Sequence, residues 1–173
     1  MQSCARFLAA IVLLAGCAAK TEDPQIQLTD VGFALHLPAP MQAALDSLAP
    51  NFRTIRTTSY RSDVSQAAAA GSGGMPALFA VIGDFDGDGT RDAVVEGTTP
   101  GDSSLRVITI MNGPTPVAVE VTHIDSYDAD AVGVYLSSPT DGRSGAFEIV
   151  SYPDSSQLYQ YKSGRFTGTS IGN

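Results

Sequence analysis

The sequence predicts an α+β protein whose antiparallel, twisted sheet or partial sandwich is a meander of hairpins, with one or two short N-terminal helices. Short β-branched runs recur through the second half of the chain, separated by Asn-Gly, Asp-Gly and Ser-Gly turns. Helical spacing of apolar residues is confined to the first half. The strands do not alternate with long helices, which excludes the parallel sheet of a βαβ fold.

The first elements follow from hydrophobic spacing. Apolar and polar side chains alternate within residues 26–37, which indicates an extended segment. Pro40 suits the first turn of a helix, and Pro50 ends one. Between these prolines the apolar residues recur at helical spacing, at Met41, Ala44, Leu45 and Leu48. We therefore predict an amphipathic helix over residues 40–49.

The elements that follow are a second helix and the strands. Residues 51–60 are ambiguous, although their threonines favour a strand. A short helix is predicted over residues 62–70, followed by a flexible glycine-rich link at 71–74. Beyond the link, β-rich runs predict strands over residues 77–83, 93–97, 105–111, 117–123, 131–137, 146–152, 157–161 and 165–171.

An acidic loop separates the first two of these strands. Residues 84–92 read Asp-Phe-Asp-Gly-Asp-Gly-Thr-Arg-Asp, which places four carboxylates at odd-numbered positions. Calcium binds about six to eight oxygen atoms at roughly 2.3–2.6 Å, and flexible loops supply them from alternate positions. Gly89 permits the sharp turn that such a loop needs. The predicted calcium ligands are the side chains of Asp84, Asp86, Asp88 and Asp92 and the carbonyl oxygen of Thr90.

Other interpretations of the loop fit less well. An ordinary acidic turn needs one or two such residues, and carboxylates this close repel by about 1 kcal/mol per pair at 4 Å in water. Magnesium requires near-octahedral geometry and keeps its water ligands. An EF-hand is excluded because β-rich runs flank the loop and because its glutamate position is occupied by Val95. The loop is therefore predicted to join two strands of a hairpin.

The run from Gly83 to Val95 resembles the calcium loop of FG-GAP and VCBS repeats, which form the blades of integrin-type β-propellers. One clear copy is present, whereas a propeller needs several blades. The wider layout is similar to that of small bacterial lipoproteins with a helix, a calcium hairpin and a closing strand pair like residues 158–166. The resemblance implies that calcium is bound by Asp84, Asp86, Asp88, Asp92 and the Thr90 carbonyl.

The N-terminus predicts a lipid-anchored envelope protein. Residues 1–16 have a short apolar core typical of a signal peptide, and the cleavage region resembles the lipobox of bacterial lipoproteins. Cys17 would carry the lipid, residues 17–25 would form a tether, and residues 26–173 would form one calcium-binding domain. Ala18 favours the outer membrane, on its periplasmic or surface side. The alternative is an ordinary secretory signal.

Composition excludes some function classes. The net charge is −8, and the chain has two lysines, Lys20 and Lys162, so no basic patch exists for nucleic acid. Because Cys4 would leave with the signal peptide and Cys17 would carry lipid, the mature protein would have no disulfide. The domain must then depend on its apolar core, with bound calcium as a further stabiliser.

Other candidate sites are weaker. A second acidic group lacks a central glycine, and it is either a solvated loop or an auxiliary cation site: Asp125, Asp128 and Asp130. His36 and His123 stand alone, which is typical of packed or surface histidines. Sequence motifs of serine hydrolases and zinc proteases are absent.

We therefore expect a non-enzymatic calcium-binding lipoprotein of the cell envelope, with structural calcium in a hairpin loop and an envelope protein or glycan as partner. Five tyrosines offer an aromatic contact surface, although some of them must belong to the core: Tyr127, Tyr135, Tyr152, Tyr159 and Tyr161. The alternative is a calcium-dependent envelope hydrolase. Its catalytic acids would be Glu120, Glu148 or Asp154.

Overall fold

Two antiparallel β-sheets lie face to face, and helices pack on the outer side of the larger sheet. The helices are α1 (Ala39–Leu48) and α2 (Ser62–Ser72), with one turn of 3-10 helix at Thr57–Ser59. The predicted α+β class is confirmed, and the partial sandwich is the form that it takes. The computed structural model describes residues 22–72, 77–125, 127–139 and 144–171.

Eleven strands form three sheets within the described residues. A two-stranded hairpin (β1–β2) precedes the helices, a five-stranded sheet has the order β3-β5-β6-β7 with β4 also on β5, and a four-stranded sheet has the order β11-β10-β9-β8. The strands are β1 (Gln25–Thr29), β2 (Gly32–His36), β3 (Arg53–Thr54), β4 (Ala80–Gly83), β5 (Asp92–Thr98), β6 (Leu105–Met111), β7 (Val117–Ile124), β8 (Val134–Ser137), β9 (Ala146–Ser151), β10 (Ser155–Lys162) and β11 (Arg165–Ile171).

Each large sheet is a meander of neighbouring hairpins. Strands β4, β5, β6 and β7 pair in sequence order, and so do β8, β9, β10 and β11. The last hairpin closes through Ser163 and Gly164, which both adopt positive φ (52° and 83°) as the predicted Ser-Gly turn requires. The meander predicted from the turn spacing is therefore present in both sheets.

The first hydrophobic cluster joins the helices to the larger sheet. Met41 and Leu45 of α1 pack with Ala93 and Val95 of β5, and α2 adds Val64 to the same cluster. The side chains of Met41, Ala93, Val95 and Val64 are fully buried. The helical spacing seen in the sequence therefore identifies Met41, Ala44 and Leu45 as the α1 face that packs on the sheet, whereas Leu48 is exposed.

A second cluster fills the space between the two sheets. Val94 and Val107 project from the larger sheet towards Leu136, Phe147 and Ile149 of the smaller one. Because side chains alternate along a strand, Val94 faces this interior while its neighbours face the helices. The larger sheet is therefore apolar on both faces, and the smaller sheet is its second layer.

Several element boundaries differ from the predictions. Residues 26–37 form a hairpin instead of one extended segment, because Thr29 Oγ1 donates to the Gly32 carbonyl (2.7 Å) and closes a turn. The strand predicted over 131–137 begins at Val134, because the backbone of Val132 pairs with Ser59 and Arg61 instead.

Other predicted elements agree or fall outside the description. Helix α2 extends to Ser72, so it includes the start of the predicted link at 71–74. The ambiguous stretch 51–60 contains β3 and the 3-10 turn. The predicted Asp141-Gly142 turn lies outside the described residues. None of the described helices combines the length and apolar character needed to cross a bilayer.

Candidate metal centre

The acidic loop connects two paired strands, as the sequence predicts. Strand β4 ends at Gly83, opposite Asp92 at the start of β5, so residues 84–91 form the hairpin connection. Gly87 and Gly89 adopt positive φ (81° and 88°), a conformation that most other residues avoid. These glycines let the backbone reverse twice within five residues and bring the alternate aspartates together.

Three carboxylates converge inside this loop. One oxygen each from Asp84, Asp86 and Asp88 lies within 4.8 Å of the other two. Asp84 and Asp86 are half-buried, whereas Asp88 is exposed. Oxygens at this separation suit ligands on a single cation with metal–oxygen distances of about 2.3–2.6 Å. Elsewhere in the described part of the chain, no other group of three acidic, histidine or cysteine side chains comes this close.

Backbone N–H groups hold these carboxylates in place. Asp84 accepts hydrogen bonds from Gly87 N (2.8 Å) and Gly89 N (3.1 Å), and Asp86 accepts one from Asp88 N (3.1 Å). Each oxygen still has lone-pair capacity for a cation, since a carboxylate offers about four acceptor sites. The loop therefore orients its acids before any ligand arrives.

Thr90 contributes to the same arrangement through Asp88. The hydroxyl of Thr90 donates to Asp88 Oδ1 (2.6 Å), and its backbone N–H donates to the same oxygen (2.7 Å). These two bonds, the hydroxyl first, hold the pKa of Asp88 below its usual value. Asp88 is therefore ionised at neutral pH, as a calcium ligand must be.

Asp92 differs from the other three predicted acidic ligands. Its side chain is fully buried, with Oδ2 accepting from Phe85 N (2.8 Å) and Oδ1 from Asn112 N (2.8 Å). Burial raises the pKa of Asp92 to about 6, and the nearby charges of Asp86 and Asp88 act in the same direction against the two hydrogen bonds. Asp92 thus fastens the loop to the end of β6, and its role as a ligand stays a prediction.

Phe85 anchors the loop to the second sheet, a contact that the motif does not reveal. Its buried ring meets Phe147 edge to face, with ring centroids 5.6 Å apart. A Cβ atom at position 83 would come within 3.1 Å of the Phe85 ring, so glycine at this position leaves room for the ring. The sequence did contain a signal for this contact, because a phenylalanine between two aspartates of a polar loop is expected to be buried.

The other predicted sites are not gathered in the same way. Asp125 and Asp130 are exposed, and Asp128 accepts a hydrogen bond from Asp130 N (2.9 Å). His36 is exposed at the end of β2, and His123 lies 3.4 Å from Glu120. The predicted lipidation site, Cys17, lies outside the described residues.

The acids of the alternative hydrolase are dispersed. Glu120 accepts from the guanidinium of Arg106 (2.7 Å from Nε), and Asp154 is exposed in a turn. Glu148 lines a cleft beside β8. A cavity of about 590 Å³ next to the acidic loop contains Asp84, Asp86 and Lys162 as its charged side chains among the described residues. Neither cleft contains two of the candidate catalytic acids.

The predicted tyrosine surface is largely packed. Tyr159 is buried and stacks on Phe147 with ring centroids 5.4 Å apart. Tyr161 is half-buried against Phe166, with ring centroids 5.1 Å apart. The remaining three contact the first cluster as partly buried residues: Tyr127, Tyr135 and Tyr152.

No family model, curated protein or solved structure matches this chain. The resemblance to FG-GAP and VCBS loops therefore stays a prediction based on the motif. The chemistry of the site follows from its own residues. Three converging carboxylates on a glycine-shaped loop suit a hard divalent cation with oxygen ligands.

Proposed function

We propose that the protein is a calcium-binding lipoprotein of the bacterial cell envelope in which calcium stabilises the β4–β5 hairpin. The observation that carries the proposal is the convergence of Asp84, Asp86 and Asp88 within 4.8 Å. Thr90, through its carbonyl, and Asp92 complete the predicted ligand set. Without a cation the three carboxylates repel each other, so a cation that binds them favours the folded loop.

The proposed role of calcium is structural. The loop joins β4 to β5, the strand of the larger sheet that pairs with β3, β4 and β6, and Phe85 connects it to the smaller sheet. An ion that fixes the loop therefore stabilises the junction of both sheets. A ligand that binds only the native state raises stability by RT ln(1 + [L]/Kd).

The proposed location follows from the predicted lipidation of Cys17 in a signal of lipoprotein type. Lipid on Cys17 would hold the domain at the membrane, with the outer membrane favoured. The partner would be another envelope component, a protein or a glycan. The acidic composition supports neither nucleic acid nor a direct electrostatic attraction to anionic headgroups.

A non-enzymatic role fits the arrangement of the acids better than hydrolysis does. A glycosidase uses two carboxyl groups about 5–10 Å apart that flank the bond to be cleaved. Here Glu120 is paired with Arg106 and Asp154 lies in an exposed turn, away from the cleft that contains Glu148. Asp84 and Asp86 would be held by calcium as ionised ligands, which conflicts with proton transfer.

Titration calorimetry with the purified full chain tests the proposal. We expect one calcium site with a dissociation constant on the order of 10⁻⁴ M or tighter. Asp84→Ala and Asp88→Ala should each abolish binding, because each removes a charged ligand from a small set. Asp128→Ala is the matched control, since it removes an exposed aspartate that also accepts a backbone hydrogen bond.

Two results would count against the proposal. Calcium binding that survives in both cluster variants would exclude the acidic loop as the site. Binding lost in Asp128→Ala and retained in the cluster variants would assign calcium to the second acidic group instead.

A further inference from the structure

The first described residues of the chain are fixed on the domain by a buried side chain. Residues 22–24, the N-terminal segment, directly precede β1 and belong to the predicted tether. The carbonyl of Glu22 accepts a hydrogen bond from Asn112 Nδ2 (3.1 Å), and Pro24 is buried. The segment therefore has one polar and one apolar attachment to the folded domain.

The residue that holds Glu22 also lies next to the acidic loop. Asn112 N donates to Asp92 Oδ1 (2.8 Å), and Asp92 Oδ2 accepts from Phe85 N within the loop (2.8 Å). Gly113 follows in the same turn, and a Cβ atom at position 113 would lie 3.7 Å from Asp88 Oδ2. The β6–β7 turn is therefore placed between the acidic loop and the N-terminal segment.

The side chain of Asn112 is held in one orientation. Its Oδ1 accepts from Gly113 N (2.9 Å), so its oxygen bonds the turn while its Nδ2 group bonds Glu22. The side chain is also buried. A buried amide with partners at both ends has few alternative conformations. A displacement of the turn is therefore transmitted to the carbonyl of Glu22.

We propose that Asn112 is a positioning residue that couples the acidic loop to the N-terminal segment, so that a cation in the loop also fixes this segment on the domain. A cation restricts the motion of Asp88 and, through the loop backbone, that of Asp92. The turn that contacts both is then ordered in advance, and less conformational entropy is lost when it binds Glu22. By linkage, the attached segment raises the affinity for the cation by the same factor.

The cation in this inference is the calcium of the proposed function, whereas the coupling rests on the hydrogen bonds of Asn112. Towards the N-terminus the segment leads to Cys17, the proposed lipid anchor. Calcium would therefore control how firmly the domain is held relative to the membrane, in addition to stabilising the β4–β5 hairpin.

Hydrogen–deuterium exchange of the purified full chain, read by mass spectrometry, measures the order of the segment. Calcium should slow exchange about fivefold in the peptide that covers residues 22–30, because the coupled segment opens less often. Asn112→Ala removes the donor to Glu22 and keeps the backbone N–H that bonds Asp92. In this variant calcium should no longer slow exchange over residues 22–30.

Titration calorimetry tests the reverse direction. The dissociation constant for calcium should rise about fivefold in Asn112→Ala, as reciprocity requires. Thr109→Val is the matched control and should bind calcium like the wild type, because Thr109 is a buried polar residue of β6 whose hydroxyl has no partner among the described residues. A purely structural role of Asn112 would lower stability and leave the calcium affinity unchanged.

A second variant tests the coupling from the segment itself. Pro24→Gly gives the segment more conformational freedom and leaves Asn112 intact, so it should also weaken calcium binding. Pro38→Gly is its control, because Pro38 is a buried proline before α1, outside the segment. This pair decides the question if Asn112→Ala fails to fold.

Two results would overturn the inference. One is calcium binding that leaves exchange over residues 22–30 unchanged in the wild type. The other is an equal calcium affinity of the wild type, Asn112→Ala and Pro24→Gly.

Absence of calcium binding by the wild type would instead defeat the proposed function, and the calcium-dependent part of the inference with it. Asp92→Ala in calcium-free buffer then decides whether the loop and the segment are coupled. It should speed exchange over residues 22–30 about tenfold more than over residues 155–171 of the smaller sheet, because local opening is confined to the coupled unit. Equal changes in both peptides would refute the coupling.

Discussion

At the scale of single residues, Glu96 is the most constrained acid in the interior. Its side chain is fully buried, and the hydroxyl of Tyr60 donates to one of its oxygens. The other oxygen, Oε2, has no hydrogen-bond partner among the described residues. Burial raises the pKa of Glu96 well above its ordinary value, and the bond from Tyr60 opposes this only in part.

The pH dependence of stability follows from this shift. The folded protein holds the Glu96 proton more tightly than the unfolded chain, whose glutamate has a pKa of 4.5. The resulting stability is fully present below about pH 4.5 and is lost as the pH rises through the folded pKa. Glu96→Gln cannot titrate, so the free energy of unfolding of this variant should fall less between pH 5 and pH 8 than that of the wild type.

Denaturant unfolding in calcium-free buffer at several pH values measures this difference. The raised pKa of Asp92 also makes the free energy of unfolding depend on pH. This dependence is the same in the wild type and in Glu96→Gln, so it cancels when the two proteins are compared. Glu96→Gln should cost about 1–3 kcal/mol at pH 5, because its buried amide N–H groups lack an acceptor. Equal pH slopes for the two proteins would show that Glu96 does not titrate as described.

Residue identity predicted part of the geometry of the acidic loop and not all of it. The alternate spacing of Asp84, Asp86 and Asp88 predicted their convergence, because glycines between and after them permit the positive φ that a tight loop needs. The same spacing gave no means of separating Asp92, whose role depends on Asn112, twenty residues away in the chain. Likewise Glu96 and Tyr60 meet only through tertiary packing, which no local pattern encodes.

At the scale of elements, β5 is the strand on which the larger sheet depends. It pairs with β6 along one edge, and with β4 and β3 along successive parts of the other edge. Gly97 permits the contact with β3, since an added Cβ would come within 2.2 Å of the Arg53 carbonyl and 2.7 Å of the Phe52 ring. The glycine is therefore required by close approach of the backbone.

Gly97→Ala should displace β3 and destabilise the protein by about 1–3 kcal/mol, an overpacking cost, because the nearest atom belongs to the backbone and not to a flexible side chain. Gly133→Ala is the matched control, since its nearest neighbour is the mobile end of Arg61 at 3.4 Å. Denaturant unfolding measures both. Equal stability of the Gly97 and Gly133 variants would contradict the close approach described for β3.

Elements were predictable where a local pattern determines them. Strands β6 and β11 have the predicted bounds, because turns with glycine delimit them. Helix α1 lies one residue from its predicted position, with Pro40 in its first turn and its end before Pro50. The β1–β2 turn was not predicted, because it contains Asp30 and Val31 in place of a glycine pair. Strand β3 was not predicted either, because a strand of two residues is too short to show a periodic pattern.

At the scale of the whole molecule, the described chain begins beside the acidic loop. The carbonyl of Glu22 accepts a hydrogen bond from Asn112 Nδ2 (3.1 Å), and Asn112 N bonds Asp92. The proposed tether therefore leaves the domain at the same end as the acidic loop. A lipid on Cys17 would place that end towards the membrane.

Cys17→Ser should block lipid attachment and release the protein from the membrane fraction, because serine lacks the thiol that would carry the lipid anchor. Detergent-phase partitioning of the full chain measures the change. Cys4→Ser is the control, since Cys4 lies within the predicted signal peptide and should have no effect. Retention of Cys17→Ser in the detergent phase would refute the proposed anchor.

The most direct test of structural calcium is the melting temperature of the full chain with and without the ion. At a calcium concentration a hundredfold above Kd, binding to the native state contributes about 2.7 kcal/mol, which raises the melting temperature by about 5–10 °C for a domain of this size. Asp88→Ala should melt near the calcium-free value in both buffers, and Asp128→Ala should respond like the wild type. A wild-type melting curve that is indifferent to calcium and to chelator would contradict the proposal that calcium holds the two sheets at this hairpin.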